Sequence, residues 1–241
     1  MNRLPRPRPL SRQARAPALT GPGARLTATD RAALRDLTRF GVLGASHLGA
    51  WHFGSQAGAT SRLAALERAR LVRSIRPHYG GRVAYLATPA GARAGEAGLG
   101  STRFVPALAT HHLAVADLAV ILLRDYPGAT WTTERELRRL AGRATPQGEF
   151  PGHPPDGALL LHGRRLAMEV ELTAKSPGSY RRIMRWYAAA LEFDAVVWFC
   201  PYDRRRRRLF EGLRELIDAE GLTGVGAVRP LPPGVDTAPW G

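Results

Sequence analysis

A single cysteine, Cys200, and a single lysine, Lys175, stand in a chain of 241 residues that carries 35 Lys plus Arg. One thiol excludes an intrachain disulfide framework and a cysteine-based zinc site. Cys200 closes an apolar run and is expected in the core. Acidic residues are also scarce: 20 Asp plus Glu leave a net charge of +15, and the first 26 residues contain none. No run reads as long and apolar enough to span a bilayer. The basic N-terminus lacks the apolar stretch and cleavage site of a secretory signal. Glycine-rich phosphate loops, internal repeats and nucleophile–base motifs are missing too. What remains is a globular chain, expected in the reducing cytoplasm and away from membranes, whose cationic surplus calls for a polyanion, most simply DNA or RNA.

The order of elements sharpens this. Residues 1–26, with Arg3, Arg6, Arg8, Arg12, Arg15 and Arg25 among several prolines, form a basic disordered arm that tracks phosphates, or else a solubilising tail. A helix is expected over 30–40, capped by Thr29 or Asp30, with Leu34 and Leu37 as its apolar stripe. Ser46 would cap a second, short helix holding Leu48, Trp51 and Phe53. Thr60 and Ser61 would open a third, with Leu63 and Leu66 inward and Arg62, Arg68 and Arg70 outward. Strands over 71–76 and 82–86 flank a turn at 77–81. Three helices and a hairpin in this order predict a winged helix-turn-helix domain over 27–95. Its third helix would enter the major groove of double-stranded DNA. Arg62, Arg68, Arg73, Arg76 and Arg82 would then meet phosphates or base edges. The same architecture also serves protein contact or dimerisation. An Ala- and Gly-rich linker follows over 96–110.

The second domain, 111–241, begins with a periodic helix over 111–126, in which Leu113, Val115, Leu118, Leu122 and Leu123 are apolar and His112 and Asp117 are polar breaks. Thr133 can cap a helix over 134–141, with Glu134 as ordinary dipole complementarity. A loop over 142–154 brings His153 beside Asp156. Then come a turn at Asp156-Gly157, an apolar strand over 158–161, a tight turn, and an alternating strand over 166–172. Period-two geometry sends Glu169 and Glu171 to one face of that strand. A first strand starting at Asp156 and pairing with it would add a third carboxylate. Clustered carboxylates repel unless a cation or proton holds them, and hard oxygen ligands suit Mg²⁺ or Mn²⁺. Glu-Val-Glu is equally the pattern of a solvated hairpin face. A helix over 180–191 with Ile183, Met184 and Tyr187 inward, a buried strand over 195–200, an arginine run at 204–208 leading a helix to 219, and a strand over 225–229 complete the domain. The fold class expected is α/β (α+β), a mixed sheet flanked by helices.

Asp156 followed thirteen residues later by Glu169-x-Glu171 resembles the PD-(D/E)xK nuclease-like core. More narrowly, the chain resembles the replication-relaxation family of plasmid and mobile-element proteins. Tyr85-Leu86-x-Thr88-x-x-Gly91, His111-His112-Leu113-x-Val115-x-Asp117-Leu118, Trp131-x-x-Glu134, Pro155-Asp156-Gly157, Glu169-Val170-Glu171 and Lys175 with Tyr187 downstream carry the likeness. The resemblance implies a DNA-binding protein of plasmid or integrative-element replication, relaxation or mobilisation. It further implies a metal-dependent DNA endonuclease or nickase site of Asp156, Glu169, Glu171 and Lys175, the three acids holding Mg²⁺ or Mn²⁺. The alternatives are a non-catalytic winged-helix regulator, its second domain making a homodimer, and a structural adaptor of a mobilisation complex. One departure bears on cleavage: where the motif has lysine, this chain has Glu171. A strand continuing to Lys175 would set its backbone about 13 Å beyond Glu171. Weak or absent cleavage is therefore expected unless the chain bends at Thr173-Ala174.

The charge predicts salt-sensitive DNA binding. Log affinity should fall against log salt with a slope of about −0.9 per neutralised phosphate, read by fluorescence anisotropy on a labelled duplex. Arg62→Ala or Arg68→Ala should weaken binding more than Arg229→Ala. An isotherm unchanged between low and high salt would exclude phosphate-driven binding.

Overall fold

The computed structural model describes residues 25–76, 82–144, 152–204 and 206–235. Most of the N-terminal arm, the turn at 77–81, most of the loop over 142–154, and Arg205 of the arginine run lie outside the described residues. Helix α1 (Ala28–Phe40) starts earlier than expected because Thr27, not Thr29 or Asp30, is its cap. The Thr27 hydroxyl accepts from the Asp30 N–H at 3.1 Å, and the Asp30 carboxylate accepts from the Thr27 N–H at 2.8 Å. This reciprocal pair satisfies two otherwise unpaired donors of the first turn. Strand β1 (Leu43–Gly44), helix α2 (Ala45–Leu48) continued by a π-turn through Phe53, and helix α3 (Gln56–Arg68) follow. β1 is two residues long, too short to show any period, and was not anticipated. Strands β2 (Val72–Ile75) and β3 (Ala84–Ala87) complete a small antiparallel sheet of order β1-β3-β2.

Arg62 is inward, contrary to the expectation. Ser55 caps α3, so the helix begins ahead of Thr60. Its buried stripe is Ala59, Arg62, Leu63 and Leu66, the spacing of a single helical face. Arg62 reaches back to α1, where its Nε and Nη2 donate to the two oxygens of Asp30 at 2.6 and 2.5 Å. Burial works against the Asp30 charge, but Arg62 and Thr27 outweigh it and the pKa lies below the usual carboxylate range. Helix α4 (Pro89–Gly95) packs closely on α1. A Cβ at Gly95 would come within 2.6 Å of the Arg35 nitrogen, and one at Gly91 would overlap the Leu71 carbonyl, so only glycine permits this approach.

Helix α5 (Ala109–Asp125) lies between the two halves of the molecule. With the 3-10 turn before it, the stretch Pro106–Asp125 is by length and composition able to cross a bilayer, which corrects the expectation that no such stretch exists, yet more than half of it is buried inside the fold. Leu113 packs on Val42, Ala84 and Leu86, and Ala116 on the cluster of Leu34, Leu37 and Leu63. Ala114, Leu118 and Leu122 join Trp131, Leu159, Met168, Val170 and Phe199 of the large sheet. A helix expected to open the second domain therefore serves both cores. Its polar break, Asp117, accepts from His47 Nε2 at 2.7 Å, while His47 Nδ1 accepts from the Gly44 N–H at 2.9 Å. That pairing places the ring proton on Nε2. Arg82 stands 3.6 Å from Asp117 and donates to the Ser46 hydroxyl at 2.9 Å. Arg82 is thus held toward α2 and α5, whereas Arg68, Arg73 and Arg76 are exposed.

The large sheet has the order β4-β5-β6-β7-β8: β4 (Thr130–Thr133), β5 (Gly157–Leu161), β6 (Arg164–Val170), β7 (Ala195–Cys200) and β8 (Gly226–Pro230). β4, β5 and β6 are antiparallel neighbours, and β6, β7 and β8 run parallel. β4 was not anticipated as a strand. Thr133 ends it and caps helix α6 (Glu134–Ala144), its N–H donating to Glu136 at 2.8 Å. His162 and Gly163 turn the β5–β6 hairpin with positive φ at both positions, as a two-residue loop requires. Helices α7 (Pro177–Ala189) and α8 (Arg207–Ala219) make the parallel crossovers. They cover one face through Ala167, Val196, Trp198 and Cys200, and α5 covers the other. The architecture is α/β with a mixed sheet flanked by helices, as expected.

Asp30→Ala would leave the Arg62 guanidinium buried without its carboxylate, and losing one partner of a buried pair costs about 3–5 kcal/mol. Urea denaturation should register that loss, while Arg68→Ala at the surface should stay within about 0.5 kcal/mol of the parent. Equal stability of Asp30→Ala and the parent would contradict the inward placement of Arg62.

Candidate active site

The β5–β6 register builds the site. Gly157 pairs with Met168, so one step further along the ladder brings Asp156 across from Glu169. Asp156 is tied there twice: one oxygen accepts from the Val170 N–H at 2.7 Å, the other from His111 Nε2 at 2.8 Å. His111 comes from the first turn of α5, 45 residues away in sequence.

Alternation along β6 turns Glu169 to the face covered by α7, with Ala167. Tyr187 of α7 donates its hydroxyl to Glu169 Oε1. His153 Nε2 stands 3.0 Å from the same oxygen but off the line of a hydrogen bond. The Tyr187 ring is held edge-on by Trp198 and Trp186 at centroid distances of 5.6 and 4.9 Å, so its hydroxyl is aimed by packing.

Glu171 follows the end of β6, yet its N–H still donates to the Phe199 carbonyl at 2.9 Å. It is 5% exposed. The chain then bends at Thr173 and Lys175 returns, its Nζ meeting Glu171 Oε2. The Lys175 N–H donates to the Tyr180 hydroxyl at 3.0 Å, and its ammonium lies 5.7 Å from the Tyr180 ring centre. The bend removes the reach problem posed by the missing motif lysine.

The half-buried Asp156 and the buried Glu169, at paired positions across the β5–β6 ladder, are pushed apart in acidity. Burial opposes the charge on Asp156, but His111, the Val170 N–H and Lys175 together outweigh it and lower its pKa. Burial raises Glu169, Asp156 adds to the rise, and His153 and Tyr187 offset it only in part. Glu171 is also raised, by burial first and by Asp156, despite Lys175. His111 and His153 are raised: burial would lower both, but Asp156 and Glu169 prevail. Paired acids with opposed shifts are the arrangement of a proton-handling or cation-binding site.

The four residues expected at a nuclease-like site, Asp156, Glu169, Glu171 and Lys175, are therefore neighbours. Among the described residues, no three His, Cys, Asp or Glu side chains form a ready-made metal cage. In kind the donors fit a hard divalent cation: three buried or half-buried carboxylates whose mutual repulsion a cation would relieve. Imidazoles and an ammonium now supply that balance. His153 was expected beside Asp156 by its loop, and it stands by Glu169. His111 and Tyr187 stand among the residues that carry the family likeness, but nothing local in the sequence marks either as a partner of the carboxylates. The residues expected to meet DNA divide: Arg68, Arg73 and Arg76 remain on the surface beside an exposed α3 face of Gln56, Thr60, Ser61 and Ala64, Arg62 is buried against Asp30, and Arg82 is half-buried and donates to Ser46.

Glu169→Gln keeps an acceptor for Tyr187 and removes the charge. A pKa raised in the folded state means stability present below the unfolded value, near 4.5, and lost as pH rises through the folded value. In buffer with chelator, the Tm of Glu169→Gln relative to the parent should therefore climb from pH 4.5 to pH 8, by about 2–4 °C for each kcal/mol relieved. A relative Tm that falls over that range would reverse the assignment. Compared with protein-family models, with curated proteins and with solved structures, the chain matches none.

Proposed function

We propose that this chain binds double-stranded DNA through its N-terminal half and acts on it, as a metal-dependent nickase of plasmid or integrative-element replication, relaxation or mobilisation. The observation that carries this reading is the meeting of Asp156 with Glu169 across the β5–β6 register, with Lys175 folded back onto Glu171. The run α5, β4, α6, β5, β6, α7, β7, with the acids at the start of β5 and the end of β6, supports a PD-(D/E)xK-like second domain. The order α1, β1, α2, α3, β2, β3 with sheet order β1-β3-β2 supports a winged helix-turn-helix. On that reading the exposed α3 face offers Gln56, Thr60 and Ser61 to base edges, and Arg68, Arg73 and Arg76 to phosphates.

Asp156, Glu169 and Glu171 would hold Mg²⁺ or Mn²⁺, which when bound supplies Lewis acidity at the phosphate and a more acidic water. The chain's own groups have distinct parts. His111 and the Val170 N–H keep Asp156 ionised and fixed. Tyr187 orients Glu169. Lys175, compact and cationic, offsets charge developing on the phosphate once Glu171 turns to the metal. One observation favours a second reading, a DNA-binding regulator without cleavage: Lys175 is already paired with Glu171, which leaves its ammonium neutralised.

Supercoiled plasmid incubated with the protein and Mg²⁺ or Mn²⁺ tests the two. Nicking that drops by about a hundredfold or more in Asp156→Asn and in Lys175→Met is expected, the scale of losing a charge-stabilising group. A gel shift with no metal-dependent nicking would establish the regulator instead. Nicking that survives Lys175→Met would remove the lysine from the chemistry.

A further inference from the structure

A cavity of about 190 Å³ opens beside the carboxylates, between α1, α5 and the start of α6. It shares Asp156 and His111 with the site, and Arg135, His112, Phe40 and Val115 stand on its other sides. Drug-sized ligands occupy pockets of roughly 300–1,000 Å³, so this one suits something smaller, a single charged group and the few atoms attached to it.

The balance of charge on the wall decides what kind. Arg39 is matched by Asp36 and Glu136, Arg138 by Glu134, and His111 by Asp156. Arg135 is the exception. It donates to the Thr38 and Gly100 carbonyls and forms no ion pair among the described residues. Burial pushes its pKa below the usual guanidinium value, and the charge of Glu136 offsets this only in part. Arginine stays protonated in proteins all the same. A carbonyl accepts a hydrogen bond without cancelling a charge, so Arg135 leaves this wall a positive charge with no acid against it. Two of its five N–H donors are taken by the carbonyls, and the others remain for a ligand. His112 feels the same field. Burial first, then the charge of His111, with Asp156 opposing and Arg135 adding, take its pKa down to about 4. Its ring makes no hydrogen bond among the described residues and lies edge-on to His111 at 6.1 Å. The neutral imidazole therefore has one N–H to donate. Asp156 brings an acid to the wall, yet its two oxygens already accept from His111 and the Val170 N–H.

We infer that this cavity holds one phosphate of the bound DNA strand, beside the phosphate that reaches the carboxylates, with Arg135 donating to its oxygens and His112 supplying a further N–H. The inference rests on the DNA-acting reading above and deepens it by assigning a second phosphate subsite. A guanidinium matches a phosphate in shape as well as charge, and the hydrogen bonds between them are of the strong, charge-assisted kind. Phe40 and Val115 offer the attached sugar an apolar side. Because Asp156 and His111 belong to both places, a strand anchored in the cavity has its adjoining backbone carried to the carboxylates. Phosphate contacts fix register and orientation without reading sequence, so Arg135 sets where the strand lies and not which bases it carries.

The test uses the full chain in chelator with a labelled DNA duplex and reads two quantities. Anisotropy gives the salt dependence of affinity. NMR of protein carrying isotope-labelled histidine gives the His112 ring signals, assigned with His112→Asn. In Arg135→Gln, affinity at fixed low salt should fall about tenfold to a hundredfold, the range for hydrogen bonds to a charged group. The slope of log affinity against log salt should flatten by about 0.9, the share of one phosphate. Arg135→Lys keeps the charge and should keep most of the slope. In the parent, bound duplex should move the His112 signals, and in Arg135→Gln that movement should shrink. Both Arg135 variants are checked for parental Tm, and the His112 signals of the parent decide the case where Arg135→Gln does not fold. His112 signals unmoved by bound duplex, or a parental slope in folded Arg135→Gln, overturn the subsite and leave DNA binding standing. Inorganic phosphate that moves those signals where duplex does not assigns the cavity to a free anion and overturns the DNA phosphate. No binding of duplex at low salt overturns the subsite and the proposed function together.

Discussion

The burial of α5 on two sides is the constraint on which the rest of this molecule depends. A helix rich in Ala, Leu and Val carries apolar surface on two sides, and both must be covered. The small sheet takes Leu113, and the large sheet takes Ala114, Leu118 and Leu122. That sandwich sets the position of three polar groups that matter. His111 is delivered to Asp156 at the open end of the helix. Asp117 is delivered to His47 and Arg82 in the middle, where an unpaired carboxylate would be costly. His112 is left facing a cavity. The surface that carries the proposed DNA contacts and the carboxylate site thereby pack on cores to which α5 contributes residues on both sides.

The site itself is a balance of charge in a poorly solvated place. Asp156, Glu169 and Glu171 raise one another's cost of ionisation, and burial adds to it. Two histidines, one lysine and a tyrosine hydroxyl return part of that cost. The outcome is uneven, with Asp156 held acidic and Glu169 held weakly acidic, because Asp156 receives a backbone N–H as well as an imidazole. Such a cluster is under electrostatic tension in the absence of a further cation, which is why its donor set suits a divalent ion in kind. The same tension makes Lys175 informative. In a chain that uses arginine everywhere else, the one compact ammonium lies on the carboxylate of Glu171.

Much of the fold was legible because its signals are local. The alternation of Leu166 to Glu171, the apolar run of β7, the periodic helix over 111–126 and the hairpin turn at Gly163 all follow from side-chain period and backbone freedom. The errors have local causes too. Thr27 rather than Asp30 caps α1, since a capping box places the acid three residues inside. β1 and β4 have two and four residues, too few for a period to emerge. Arg62 was placed outward on the strength of its charge, although its spacing from Ala59 and Leu66 puts it on the buried stripe.

The sequence by itself determined most of the element types, β1 and β4 excepted, the common face of Glu169 and Glu171, the cationic surplus, and the absence of an intrachain disulfide. Only the tertiary structure decided which cations meet those acids. His111 reaches Asp156 across 45 residues, and Tyr187 reaches Glu169 across 18. The bend at Thr173 turns Lys175 back, and the half-buried Arg82 leans toward Asp117. The physical reason is range. Helical and strand periods act over a few residues and are written in the order of side chains. Which buried charge finds which partner depends on how whole elements pack, and on the high cost of leaving any one of them unpaired once water has been excluded.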